Sequence, residues 1–244
     1  MNAEGRRPGS RAATSGRAGF REYPAAMRLA EARARLATLP WRPDPGALPS
    51  APAAIRAVLI GDGPDLDRMP SSSREPRRAA ALVLLFEDQL GEARIVLMER
   101  TDDGGAHARQ VGLPGGSVEP DDRDTVETAL REAAEEVGLD AAAAGVEVVG
   151  RLETIWVAAS GFTIEPIVAV AARVPDLDAN PIEVAAILAP PLAAFLPGAP
   201  IVEVEEVVHG WPLRYGGYPV EGPRVVWGAT ARILGQLGAV VGPE

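Results

Sequence analysis

The 244-residue chain carries 24 basic and 34 acidic residues, a net charge of −10, no cysteine and two histidines, His107 and His209. Without a thiol, disulfides and thiolate metal sites are excluded, and two histidines do not make a histidine-rich zinc centre. Hydrophobic residues make up 47% of the chain, enough for a packed core, yet no uninterrupted apolar run reaches the roughly 18 residues of a transmembrane helix.

The charge is unevenly spread. Residues 1–42 hold nine arginines against three glutamates, a net of +6, which leaves −16 for the remainder. A body that acidic is a poor nucleic-acid surface, so neither a nucleic-acid nor a membrane partner is expected. Every basic residue is arginine, which removes lysine from any catalytic role. The Arg-rich segment 1–20 reads either as an organellar transit peptide or as a flexible tail. The tail is the expectation, because residues 1–19 are mostly Gly, Ser, Arg and Ala. With no hydrophobic secretory region, a cytoplasmic location is expected.

Along the chain, residues 21–77 are expected to form an amphipathic helix over 22–39 and a Pro-rich connector. The main domain is placed at 78–238, with 239–244 as a tail. ALVLLF (81–86) is apolar throughout, as in a strand buried on both faces, and a turn at Asp88–Gly91 leads to a second strand over 93–100. Further strands are expected at 146–149, 152–157 and 162–171, while 183–188 fits helix or strand. Residues 190–196 read as a short helix or turn, 201–208 as an exposed edge strand, and 225–237 as a strand turning into a helix. Strands and helices mix without regular βαβ alternation, so the class is α+β with a mixed sheet.

The chemistry concentrates in residues 115–139, GGSVEPDDRDTVETALREAAEEVGL. Asp124 with Glu127 resembles a capping box and Gly138 a C-terminal stop, so a helix is predicted over 125–137. At about 100° per residue, Val126, Leu130, Ala133 and Val137 form a core stripe roughly 60° wide. Glu132, Glu135 and Glu136 fall on the other side, along one edge. Three carboxylates within five residues are costly to hold together without a cation. A divalent ion bound by hard oxygen ligands and acting on a phosphate explains them, and a glycine pair lets the backbone approach such a group. The alternative is a solvated acidic face.

The box resembles the Nudix hydrolase signature, G-x₅-E-x₇-R-E-U-x-E-E-x-G-U, with Gly116, Arg131, Glu132, Ala133, Glu135, Glu136, Gly138 and Leu139 in order. Fourteen residues separate Gly116 from Arg131, one more than the signature allows, and Asp122 is the favoured substitute for its first acid. The longer, Asp-rich loop resembles the coenzyme A pyrophosphatase branch. So does the upstream segment LMERTDDGGAHARQVGLPGG (97–116), in which Leu97, Arg100, His107, Gln110, Val111, Pro114, Gly115 and Gly116 are in register. Gly104, Gly105, Arg109, Gly112 and Leu113 depart from that branch. SGFTIEPIVAV (160–170), ANPIEVAAIL (179–188) and VVWGATARIL (225–234) extend the likeness to roughly 78–238.

The resemblance implies a Nudix fold, a mixed β-sheet sandwiched between helices (α/β/α). It implies hydrolysis of a diphosphate bridge in coenzyme A or acyl-CoA by a monomer or homodimer dependent on Mg²⁺ or Mn²⁺. Glu135 and Glu136, joined by Glu132 and the Gly115 carbonyl, would hold the metal. The general base would be Glu132 or Glu183. Arg131 would clamp phosphate or pair with a carboxylate that ties helix to loop. Arg100, His107, Gln110 and Gly116 would meet the substrate, although His107 fits a loop cap equally. Trp211, Tyr215 and Tyr218 are expected in the core, with stacking on adenine as the alternative, and Arg224 and Arg232 are candidate phosphate contacts that are not assigned to the site. NADH, ADP-ribose or a nucleotide is the alternative substrate, and a non-catalytic nucleotide-binding module is the remaining alternative.

Overall fold

The computed structural model describes residues 23–60, 76–102, 109–157, 160–208 and 211–243. Its central strand is the apolar run anticipated from sequence, here β2 (Arg77–Glu87), buried from Ala79 through Phe86. A strand buried on both faces needs cover on both, and its side chains divide by alternation. Ala81, Val83 and Leu85 enter one core cluster, and Ala80, Leu82, Leu84 and Phe86 enter the other.

The first cluster is closed by α1 (Leu29–Leu36) and α4 (Gly228–Val241), which supply Leu29, Ala32, Leu36, Ile233, Leu234 and Leu237. The second is closed by α2 (Thr125–Val137) and the single turn α3 (Ala141–Ala144). The sheet therefore lies between helices, as the α/β/α expectation required.

Five further strands complete the sheet around β2. β9 (Phe162–Ala171) runs parallel to it, while β3 (Ala93–Ile95) and β6 (Gly115–Ser117) pair antiparallel on its other edge. β7 (Val146–Arg151) and β8 (Ile155–Val157) pair antiparallel with β9, so the sheet is mixed. A second sheet joins β4 (Leu97–Arg100) to β5 (Val111–Gly112) and β10 (Val184–Leu188). A third joins β1 (Val58–Leu59), β11 (Val202–Val208), β12 (Trp211–Pro219) and β13 (Val225–Val226), with β11 at its edge as expected.

Three local expectations change. The first helix begins at Leu29 rather than near Glu22, because the Met27 carbonyl accepts from Ala93 N and Arg28 bridges Glu92. The 93–100 strand breaks at Val96: its N–H still bonds Leu84 O, but from Leu97 onward the chain takes partners in β10 and β5. Residues 152–157 hold a strand only over Ile155–Val157. The ambiguous 183–188 segment is the strand β10, and Leu192–Phe195 is a 3₁₀ turn. Tyr215 and Tyr218 are core residues, as expected, while the Trp211 side chain lies outside the described set.

Candidate active site

Helix α2 forms where the sequence placed it. The Asp124 carboxylate accepts from Val126 N and Glu127 N, and Gly138 closes the helix in the left-handed region. The capping box is not reciprocal, since Glu127 accepts from Arg123 N rather than from Asp124 N. The buried arc is also rotated from the expected stripe. Ala129, Ala133 and Val137 are buried, whereas Val126 and Leu130 are half-buried. Ala129 lies about 80° from the centre of the Val126–Leu130 pair on a helical wheel. Centring the helix on these small residues brings it close to the sheet and carries Glu136 inward with them.

Glu136 is 2% exposed, a correction to the picture of three carboxylates along an open edge. Gly115 N donates to its Oε2 at 2.9 Å, and Arg100 Nη1 lies 3.4 Å from its Oε1. Burial pushes its carboxyl up to about 7, against the opposing pull of the Gly115 N–H and Arg100, and the nearby Glu132 and Glu183 push the same way. Glu132 is shifted upward too, first by burial, then with Glu135 and Glu183 adding repulsion against the pull of Arg131. Its carboxylate occupies the space in front of Gly116, where an added Cβ would come within 2.4–2.6 Å of it. At Gly115 a Cβ would stand 2.3 Å from Ala80 O. The glycine pair is thus required by β2 behind it and by the carboxylates before it.

Arg131 faces outward into a dense network. Its Nε and Nη2 meet the two Asp122 oxygens at 3.0 and 3.1 Å, Nη2 donates to Ser117 O at 3.1 Å, and Nη1 donates to Glu135 at 3.1 Å. It also stands 3.1 Å from Glu132. The guanidinium, followed by the N–H of Glu119 and the hydroxyl of Thr128, holds Asp122 well below the usual carboxylate range. Asp122 in turn raises the already high Arg131 pKa. Of the two readings of Arg131, the contacts match the tie between helix and loop. Ser117 and Thr128 were not anticipated; a backbone carbonyl and a threonine six residues from an aspartate leave no sequence signal.

Glu183 is exposed just ahead of β10, and its carbonyl accepts from Thr101 N. Its charge reaches both Glu132 and Glu136, so the later loop and the helix share one site. Arg100 ends β4 beside Glu136. Gln110 is half-buried, and its carbonyl accepts from Arg100 N. His107 lies outside the described residues. Arg224 is bound to Glu99 at 2.7 and 2.9 Å, and Arg232 lies at an exposed position of α4, its pKa lowered by partial desolvation and by Arg56.

Among the described residues, no three His, Asp or Glu side chains converge into a ready ion shell as they stand. Glu132 and Glu136 sit against the glycine pair, while Glu135 is 58% exposed and turned toward Arg131. The donor set is all oxygen, carboxylates plus the exposed backbone of a glycine turn, which suits a hard divalent cation. Glu136 has Arg100 at 3.4 Å and Glu132 has Arg131 at 3.1 Å, but Arg131 is shared with Asp122 and Glu135, so the two desolvated carboxylates form an under-neutralised pair that such an ion would complete.

Residues 76–181 match the family model described as NUDIX domain. The chain is 34% identical over 175 residues to "Nudix hydrolase 22, chloroplastic" of Arabidopsis thaliana, covering 68% of this chain and 56% of the plant protein. It is 33% identical over 175 residues to "Nudix hydrolase 15, mitochondrial" of the same plant, covering 68% and 59%. The chain thus spans under 60% of the length of these two relatives. Against "Uncharacterized Nudix hydrolase NudL" of Yersinia pestis (strain Pestoides F) it is 34% identical over 163 residues, covering 66% of this chain and 78% of the bacterial protein.

Proposed function

The chain belongs to the Nudix hydrolase family, and from that premise we propose that it hydrolyses the diphosphate bridge of coenzyme A or an acyl-CoA. The products are 3′,5′-ADP and 4′-phosphopantetheine or its acyl form. The observation that carries the hydrolytic reading is the buried Glu136, fixed by Gly115 N–H beside a second desolvated carboxylate, Glu132. A side chain this costly to bury is kept for what it binds.

Glu132 and Glu136, with the Gly115 carbonyl, would hold Mg²⁺ or Mn²⁺, and Glu135 would join by giving up its contact with Arg131. When bound, the ion offsets the charge of the phosphate oxygens and lowers the pKa of water. The chain supplies the remainder. A water oxygen adds to one phosphorus, the bridging P–O bond breaks, and the departing phosphate keeps the electron pair. Glu183 takes the proton of the water: it is exposed, belongs to a different element from the ligands, and lies within electrostatic reach of them. Arg131 and Asp122 fix the loop against the helix and so position Gly115 and Gly116.

Coenzyme A as substrate is supported by the sequence blocks at 97–116, 160–170, 179–188 and 225–234. The test is a panel of coenzyme A, NADH, ADP-ribose and deoxynucleoside triphosphates offered to the purified protein with Mg²⁺. Release of 3′,5′-ADP faster than any other product is the expected result. Faster turnover of another member reassigns the substrate and leaves the hydrolytic site intact. No turnover of any member contradicts the hydrolase reading.

A further inference from the structure

A cavity of about 430 Å³ lies at the N-terminal end of α2, where Arg123, Asp124 and Thr125 line it. β6, which carries Gly115 and Gly116, borders one edge of β2, and β9 borders the other. Glu132 and Glu136 turn toward β6. The cavity instead is lined from β2, β9 and β7 by Arg78, Glu165 and Arg151, together with Arg42, Arg123 and Asp124. Neither the glycine pair nor Glu132 or Glu136 lines it.

Four arginines against two acids reverse the local sign on a chain of net charge −10. The two acids are already engaged. Asp124 caps Val126 N and Glu127 N, and Glu165 lies 3.0 Å from Arg151 Nε. Arg123 is bound to Glu127 at 2.9 Å. Arg151, 14% exposed, is anchored by Nη1 to Trp41 O at 3.3 Å, and its Nε is a buried donor without an aligned acceptor. Among the described residues, the side chains of Arg42 and Arg78 have no hydrogen-bond or ion-pair partner. Unpaired guanidinium groups around a concave space on an acidic protein match a phosphate dianion, which they bind by paired charge-assisted hydrogen bonds. The volume falls within the range of roughly 300–1,000 Å³ typical of small-molecule sites and exceeds the needs of one phosphate group.

We propose that the Arg42–Arg78–Arg123–Arg151 cavity is a second anion site, for a phosphomonoester of about nucleotide size, separate from the hydrolytic centre. Its occupant is either a phosphomonoester released by the enzyme's own reaction or an independent phosphorylated effector. The shared chemistry is the phosphate monoester.

Calorimetric titration of the full chain with AMP in EDTA tests this, because binding is read without turnover and without a metal-held phosphate. Adenosine is the uncharged control. AMP is expected to bind and adenosine not. The double variant Arg42→Ala/Arg78→Ala should weaken AMP ~10-fold or more, Arg78→Gln alone should weaken it less, and circular dichroism should be unchanged for both. Glu136→Gln should leave AMP affinity within about twofold, since that residue does not line the cavity. Competition by 3′,5′-ADP at higher affinity than AMP identifies the reaction product as the occupant, and weaker competition identifies a separate effector. Absence of AMP binding, or binding lost in Glu136→Gln and kept in the arginine variants, overturns the proposal.

Discussion

Two carboxylates anchored at α2, one from the preceding loop and one from the helix itself, have opposite fates. Asp122, its side chain 4% exposed and bound to Arg131, is held far below the usual carboxylate range by a bidentate guanidinium, a backbone N–H and a hydroxyl. Glu136, on the inner side, is pushed up to about 7 by burial that one N–H and a distant arginine do not offset. The first site is electrostatically finished and holds the loop in place. The second is short of positive charge. The contrast separates acids that build the structure from acids kept for a ligand, which a count of acidic residues does not do.

The largest expected effect follows from removing the inner charge. Glu136→Gln should cut kcat by more than the ~10–100-fold typical of losing an outer metal partner, while raising the melting temperature of the metal-free protein at pH 8. The two readouts move in opposite directions because the buried charge opposes folding and serves binding. A fall in melting temperature together with full activity would break the contrast.

Glu183→Gln should come next, lowering kcat by about 10²–10⁴-fold, the usual contribution of a general base, with KM nearly unchanged. Its pH–rate profile should lose the acidic limb. If Glu132→Gln removes that limb and Glu183→Gln does not, the base is on the helix.

Asp122→Asn sharpens the other side of the comparison. A carboxylate with a depressed folded-state pKa contributes stability that is fully present above its unfolded value of about 3.9 and is lost as pH falls through the folded value. The melting-temperature gap between the natural protein and the variant should therefore be constant from pH 8 to about 5 and shrink below about pH 4. A gap that grows toward acid would contradict the assignment. Glu135→Gln should have the smallest effect on stability, because the side chain is 58% exposed and its contact with Arg131 is one of several.

Much of this was legible in the sequence because it depends on local geometry. The boundaries of α2 follow from Asp124 and Gly138, the central strand from its unbroken apolar run, and the strand-to-helix change near Trp227 from a change of period. Burial of Glu136 was not legible. A wheel weighted by large side chains centres on Val126 and Leu130, whereas tertiary packing chose the alanines, which approach the sheet more closely. The Val96 break and the late start of α1 depend on partners distant in sequence: Pro190 O accepts from Ile95 N, and Met27 O from Ala93 N. The approach of Arg100 to Glu136 was not legible either, because nothing in a strand's sequence shows which helix its last side chain will face.

Manganese binding tests the account most directly. Paramagnetic titration of the full chain with Mn²⁺ at pH 8, without substrate, should show saturable binding that Glu136→Gln weakens ~10-fold or more and Asp122→Asn alters far less. Equal Mn²⁺ affinity in the natural protein and Glu136→Gln, or no saturable binding in either, would contradict the claim that the buried acids of α2 are kept for a cation.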